Sequence, residues 1–262
     1  MKKAILVVSF GTSYKETRKK TIEACETKIK QTFHDYEIYS AYTSKKIIEK
    51  IRMKEGIDIQ TPMQVLDQLS QKCYDEVIVQ PLYMIHGKEF DELAKQVERY
   101  RDRFKYLFLG TPLLASNERN DEVAEAIKDQ IPTSYANEVI LLVGHGSLKN
   151  SNECYKRLES YLNKQGLNIY IAVLEGEMTL TDVIKKLQMT DVTAIHLVPL
   201  MLVAGYHVVK DLMSESPSSW KAILEKEGFN VKVHLKALGE NPKIQALFVQ
   251  SVREGINKQL NE

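Results

Sequence analysis

Apolar residues fall into short unbroken runs that end in glycine, serine or proline. Between the runs they recur every three or four positions. Residues 4–8 form the first run, followed by Ser9-Phe10-Gly11-Thr12-Ser13. Runs of this length, rich in β-branched residues, suit strands buried on both faces of a parallel sheet. Further strands are expected at 37–41, 76–82 and 106–109. Helices are expected between and after them. One opens on a Ser13/Glu16 capping box and carries Ile22, Cys25 and Ile29; another opens on Thr61-Pro62-Met63-Gln64; two more cover about 88–101 and 117–130.

Residues 131–138 are polar and aperiodic, which marks them as an interdomain link. The alternation then restarts, with strands at 139–143, 169–174, 194–200 and 231–235 and helices at about 150–162 and 179–187, from 206, and after Pro217. A closing helix starts at Asn241-Pro242, with Ile244, Leu247, Phe248 and Val252 on its inner face. Strands alternating with helices predict an α/β fold, here two similar doubly wound parallel-sheet halves, 1–131 and 139–262. The halves share motifs. Phe10-Gly11-Thr12 matches His145-Gly146-Ser147, and Pro81-Leu82 with Gly87 and Glu89 matches Pro199-Leu200 with Gly205 and His207. Ligands bind at the carboxyl ends of strands in such sheets, so a cleft between the halves lined by Phe10, Glu89, His145 and His207 is expected.

Composition narrows the class. The chain has 262 residues, 44% hydrophobic and 27% charged, with a net charge of +1. No global field recruits nucleic acid or a membrane surface, and no segment approaches the ~20 apolar residues of a membrane span. Residues 1–10 are too short in their apolar part for a signal peptide. The three cysteines, Cys25, Cys73 and Cys154, share no paired spacing and are expected to be buried or half-buried in a reduced, cytoplasmic protein. The Walker loop, the G-x-G-x-x-G fingerprint and the G-x-S-x-G elbow are all missing.

Chemistry concentrates on histidine. His34 and His234 read as ordinary surface or edge residues, and His196 as a hydrogen-bonded structural one. His86 lies in the first half's Pro-Leu loop, near the expected cleft. His145 and His207 each follow a buried strand beside glycine. Glu175 ends the neighbouring strand, so two imidazoles and a carboxylate could form an open site for a divalent first-row metal. Against this, two loop histidines need share no role, and Glu175 and Glu177 could simply favour the first turn of the next helix. Lys45, Lys88 and Lys149 could attract a polycarboxylate.

Five segments carry a resemblance: Ile-Leu-Val-Val-Ser-Phe-Gly-Thr-Ser at 5–13, Gly-Ile-Asp-Ile-Gln-Thr-Pro at 56–62, Gly-His-Gly at 144–146, Pro-Leu-Met-Leu-Val-Ala-Gly-Tyr-His at 199–207 and Leu-Gly-Glu-Asn-Pro at 238–242. Together they resemble the anaerobic cobalt chelatases of cobalamin biosynthesis. The resemblance implies Co2+ as substrate metal, no organic cofactor, and a tetrapyrrole, sirohydrochlorin or precorrin-2, as the partner. It places metal ligation on His145, Glu175 and His207, with His145 and His207 also taking the pyrrole protons, and puts Glu89 against the macrocycle. An imidazole ordinarily titrates near pH ~6.5, which suits that proton transfer. Phe10, Met84, Met201 and Leu202 are expected to form apolar faces against the ring. His86 departs from the family pattern and could extend the metal site. A chelatase for Fe2+ or Ni2+, or a non-catalytic tetrapyrrole or metal carrier, are the rival readings, with homo-oligomerisation left open.

Overall fold

A computed structural model describes residues 1–115, 119–148, 152–205, 208–212 and 214–261. The chain forms two compact units, residues 1–115 with 242–262, and residues 116–241.

The first unit holds β1 (Lys3–Ser9), α1 (Lys15–Lys20), α2 (Ile22–Thr32), β2 (Glu37–Tyr42), α3 (Lys45–Glu55), α4 (Pro62–Gln71), β3 (Glu76–Pro81), α5 (Lys88–Glu98) and β4 (Tyr106–Leu109). Its strands are all parallel, in the order β2-β1-β3-β4. The second unit holds α6 (Asn120–Lys128), β5 (Glu138–Gly146), α7 (Asn152–Lys164), β6 (Ile169–Glu175), α8 (Leu180–Leu187), β7 (Ala194–Pro199), a π-helical turn (Val208–Leu212), α9 (Trp220–Lys226) and β8 (Asn230–Val233). Its parallel order is β6-β5-β7-β8, the same topology.

The duplication extends to single hydrogen bonds. Val8 pairs with Pro81 as Val143 pairs with Pro199. The Leu82 amide donates to the Val8 carbonyl at 2.7 Å, and the Leu200 amide to Val143 at 2.8 Å. Central strands are buried on both faces. In β1, Ala4, Leu6 and Val8 pack with Val65, Leu66, Leu69 and Leu93 of α4 and α5. In β5, Val139, Leu141 and Val143 pack with Leu180, Ile184, Trp220 and Leu224 of α8 and α9.

Local signals succeed unevenly. At α4 the Thr61 hydroxyl accepts from the Gln64 amide and the Gln64 side chain accepts from the Thr61 amide, completing the expected box. The box expected at Ser13 does not form. Thr12 Oγ1 accepts the Tyr14 amide at 3.3 Å, the backbone stays extended through Tyr14, and α1 starts at Lys15 without a side-chain cap. Cys25 and Cys154 are buried as expected, but Cys73 is exposed, in a turn with φ +55°.

The larger difference concerns the closing helix, α10 (Pro242–Asn261), which packs in the first unit. The Tyr106 hydroxyl donates to the Gly255 carbonyl at 2.7 Å, and the Phe108 ring fills the space a side chain at 255 would need. Conversely, α6 packs on α7 in the second unit. The chain therefore passes between units at 115–116 and again at 241–242, and residues 131–137 lead from α6 into β5 within one unit. An apolar helix face fits either of two like sheets, so its pattern could not say which it covers.

Candidate functional site

Two of the three residues expected to hold a metal, His145 and Glu175, stand at strand ends of the second unit. His145 is the penultimate residue of β5, with an exposed ring whose Nδ1 lies 3.4 Å from the Gly146 carbonyl oxygen. The two flanking glycines serve the protein's own packing. A Cβ at Gly144 would lie 2.7 Å from Cζ and 2.8 Å from Oη of Tyr155, a buried α7 residue. A Cβ at Gly146, whose φ is +78°, would lie 1.9 Å from the Glu175 carbonyl oxygen. Burial pushes the Tyr155 phenol well above its usual range, while a hydrogen bond from the Gly146 backbone works the other way.

Glu175 ends β6 in register with Gly146, and its side chain is exposed. Beyond it Gly176 takes φ +124°, and the Val173 amide donates to the Met178 carbonyl at 2.8 Å, so Glu175 stands on a tight turn. Neither acidic residue belongs to the first turn of α8, which starts after its cap Thr179; Asp182 occupies that turn. His207 lies outside the described residues. Among the described residues no three His, Cys, Asp or Glu side chains converge to hold a metal.

The first unit answers each position with different chemistry. The strand registers, Val8 with Ala41 and Val143 with Ala172, make Ser44 the counterpart of Glu175 and Phe10 that of His145. Ser44 caps α3, its hydroxyl accepting from the Ile47 amide at 3.4 Å. Phe10 is 45% exposed. Glu89, the counterpart of His207, sits in the first turn of α5, where helix dipoles favour a carboxylate, and accepts from the Thr43 hydroxyl at 3.3 Å. Thr43 Oγ1 also meets the Tyr83 hydroxyl at 3.3 Å. His86 Nε2 lies 2.7 Å from Asp91 Oδ1, and its ring meets Phe90 edge-on at 4.7 Å. His86 is thus engaged with the first turn of α5, the helix that follows its loop.

Three expected ring faces are not surface features in this structure. Met84, Met201 and Leu202 are buried, Met201 within the second unit's core. The reason is a lacing of the Pro-Leu loops. Tyr83 and Met84 carbonyls accept from Leu113 and Leu114 amides, and Met201 and Leu202 carbonyls accept from Leu238 and Gly239 amides, at 2.8–3.0 Å. Phe10 alone of the four presents apolar surface. Leu148, three residues after His145, is 86% exposed.

His196 is structural, as expected. Its Nε2 lies 3.1 Å from Glu138 Oε2 and its Nδ1 2.9 Å from His234 Nε2, and the two rings stack at 5.1 Å. His234, read as an ordinary edge residue, is thus part of a network. Lys232 Nζ closes it on Glu138 Oε1 at 2.7 Å. Glu138 begins β5, roughly 23 Å of strand away from His145 at ~3.3 Å per residue.

Known sequences decide the family. The cobalt chelatase (CbiK) model matches residues 3–257. The chain belongs to the cobalt chelatase family. Among relatives of this chelatase family, a sirohydrochlorin cobaltochelatase of Salmonella typhimurium is 37% identical over 100% of this chain and 99% of its own. A sirohydrochlorin cobaltochelatase, CbiKC, of Nitratidesulfovibrio vulgaris is 26% identical over 91% of this chain and 85% of its own. A structure of SirB from Bacillus subtilis with Fe3+ superposes with a TM-score of 0.64 at 17% identity, covering 100% of this chain and 98% of that one, which shows the shared two-half α/β chelatase fold.

Proposed function

We propose that this chain inserts Co2+ into sirohydrochlorin, with the second unit holding the metal. The observation that carries the reading is the placement of His145 and Glu175, both exposed, on adjoining strand ends whose register is set by the Gly146–Glu175 pair. Imidazole and carboxylate bind a divalent first-row ion without the closed thiolate cage of a structural site, so the ion can be handed on. His207, by its match to Glu89 in the duplicated motif, completes the proposed set.

Insertion releases two pyrrole protons. A neutral imidazole accepts a proton near neutral pH, and we assign this role first to His145 and then to His207. Glu175 offsets the ion's charge. The first unit supplies Phe10 and Glu89 as proposed tetrapyrrole contacts; a phenyl ring, a cap serine and a carboxylate in place of two imidazoles and a carboxylate leave it without a matching metal set. Three cysteines without paired spacing favour the cytoplasm as its location. Among the described residues no helix is long and apolar enough to cross a membrane.

The test is anaerobic absorbance of sirohydrochlorin mixed with enzyme and Co2+. Catalytic conversion of the spectrum is expected, with His145→Ala and His207→Ala each slowing turnover at least ~100-fold, at the low end of general acid–base contributions. Full activity in both variants would remove the site assignment, and stoichiometric binding without turnover would make the protein a carrier. Initial rates should be highest with Co2+ when compared with Fe2+ and Ni2+, and with sirohydrochlorin when compared with precorrin-2.

A further inference from the structure

Helix α7 places two polar side chains, one helical turn apart, against the backbone that carries the proposed ligands. Tyr155 is 1% exposed. Its phenol occupies the space beside Gly144, with Oη 2.8 Å from where a Cβ would stand, and the Gly146 backbone lies close enough to oppose the upward push of burial on the phenol. The phenol therefore lies against the residues before and after His145. Asn152 does the same for the neighbouring strand. A Cβ on Gly176, the residue after Glu175, would lie 2.8 Å from Asn152 Nδ2 and 2.9 Å from the Ser147 carbonyl oxygen. Asn152 is buried, and among the described residues its Oδ1 has no hydrogen-bond partner. A buried acceptor without a partner weakens the fold, so packing alone does not call for an amide at this position.

We infer that Tyr155 and Asn152 are positioning residues that fix the spacing between His145 and Glu175 for metal binding. The inference rests on the proposed metal site. Both side chains act through the main chain: Tyr155 packs against the two peptides around His145, and Asn152, at the start of α7, packs against Gly176 in the turn after β6. Groups that orient metal ligands from behind typically change metal affinity or activity 10–100-fold when removed.

The experiment titrates Co2+ alone into the full-length protein, without tetrapyrrole, and follows the ligand-field absorption of the bound ion. Tyr155→Phe and Asn152→Ala are each expected to weaken Co2+ binding about tenfold. Turnover should show a raised KM for Co2+ and an unchanged KM for sirohydrochlorin, in protein whose circular dichroism matches wild type. Should Tyr155→Phe not fold, Asn152→Ala carries the same test. His145→Ala is the control. Weakened binding in His145→Ala with wild-type affinity in the two α7 variants, whatever their Tm, overturns the positioning role and leaves the metal site standing. Wild-type affinity in His145→Ala overturns both.

Discussion

The glycines on either side of His145 are fixed by two separate contacts. Gly144 yields its Cβ space to the Tyr155 ring, and Gly146 combines a left-handed φ of +78° with a position where a Cβ would stand 1.9 Å from the Glu175 carbonyl oxygen. A left-handed alanine costs ~1–2 kcal/mol and overpacking a further ~1–3 kcal/mol. Gly146→Ala should therefore lower unfolding stability by about 2–5 kcal/mol, read from urea denaturation midpoints; a loss within 0.5 kcal/mol, about what a neutral surface change gives, would contradict the geometry. The sequence made His145 and Glu175 legible because each terminates an apolar run, a position that depends only on local order. Tyr155 was illegible. At helical spacing from Leu158 and Leu162 it looks like one more core residue, and only the fold reveals that its hydroxyl end lies against Gly144. The space beside both glycines is filled by the protein's own side chain and backbone.

Elements defined by chemistry close in sequence were legible, and elements held by partners elsewhere were not. Thr61 and Gln64 announce α4 because both halves of its capping box lie in one turn. Helix α3 has only Ile51 buried, so its start at Ser44 and its end at Gly56, φ +67°, escaped periodicity. The Glu138 network belongs to this scale, since it ties β5, β7 and β8 together at their starts. Hydrogen bonds from Lys232, then from His196 and the Tyr135 amide, hold the Glu138 carboxyl down to about 2. Burial, then the proximity of His196 and Lys232, lowers the His234 imidazole below its ordinary value. If His196 Nε2–H donates to the carboxylate, its Nδ1 accepts from His234 Nε2–H. The signs agree. A carboxylate with a lowered folded pKa stabilises above its unfolded value of ~4.3, and that contribution disappears as pH falls toward 2; an imidazole with a lowered folded pKa stabilises above ~6.5 and loses that as pH falls. The second unit should thus weaken on acidification, first below about pH 6.5 and again below about 4.3. Denaturation midpoints at pH 7, 5 and 3 should fall for the wild type, and the Glu138→Gln variant should show a flatter slope between 5 and 3. Equal slopes would exclude the network as the cause.

At the scale of the molecule, two like sheets exchange their last helices. The repeat of Pro81-Leu82 in Pro199-Leu200 made the duplication legible, but the boundary was not, because the polar stretch 131–137 resembles a linker while lying inside a unit. Deleting residues 242–262 should uncover the face of β3 and β4 that α10 covers and leave the second unit folded. Hydrogen exchange should then show lost protection across β3, β4 and α2, with β5–β7 retained; equal loss in both units would refute this division.

The exchange also sets an order of manufacture. Synthesis delivers residues in sequence at ~5–20 per second, and domains generally fold as they emerge, N-terminal first. Here the rule inverts: everything the second unit needs has been made by residue 241, whereas the first unit waits for α10, which follows it in the chain. The first of the two units to be begun is the later of the two to be completed. In the interval the sheet face that α10 covers on β3 and β4, Ile78 and Phe108 included, is exposed on the nascent chain, which makes it the surface a chaperone would meet before the enzyme exists.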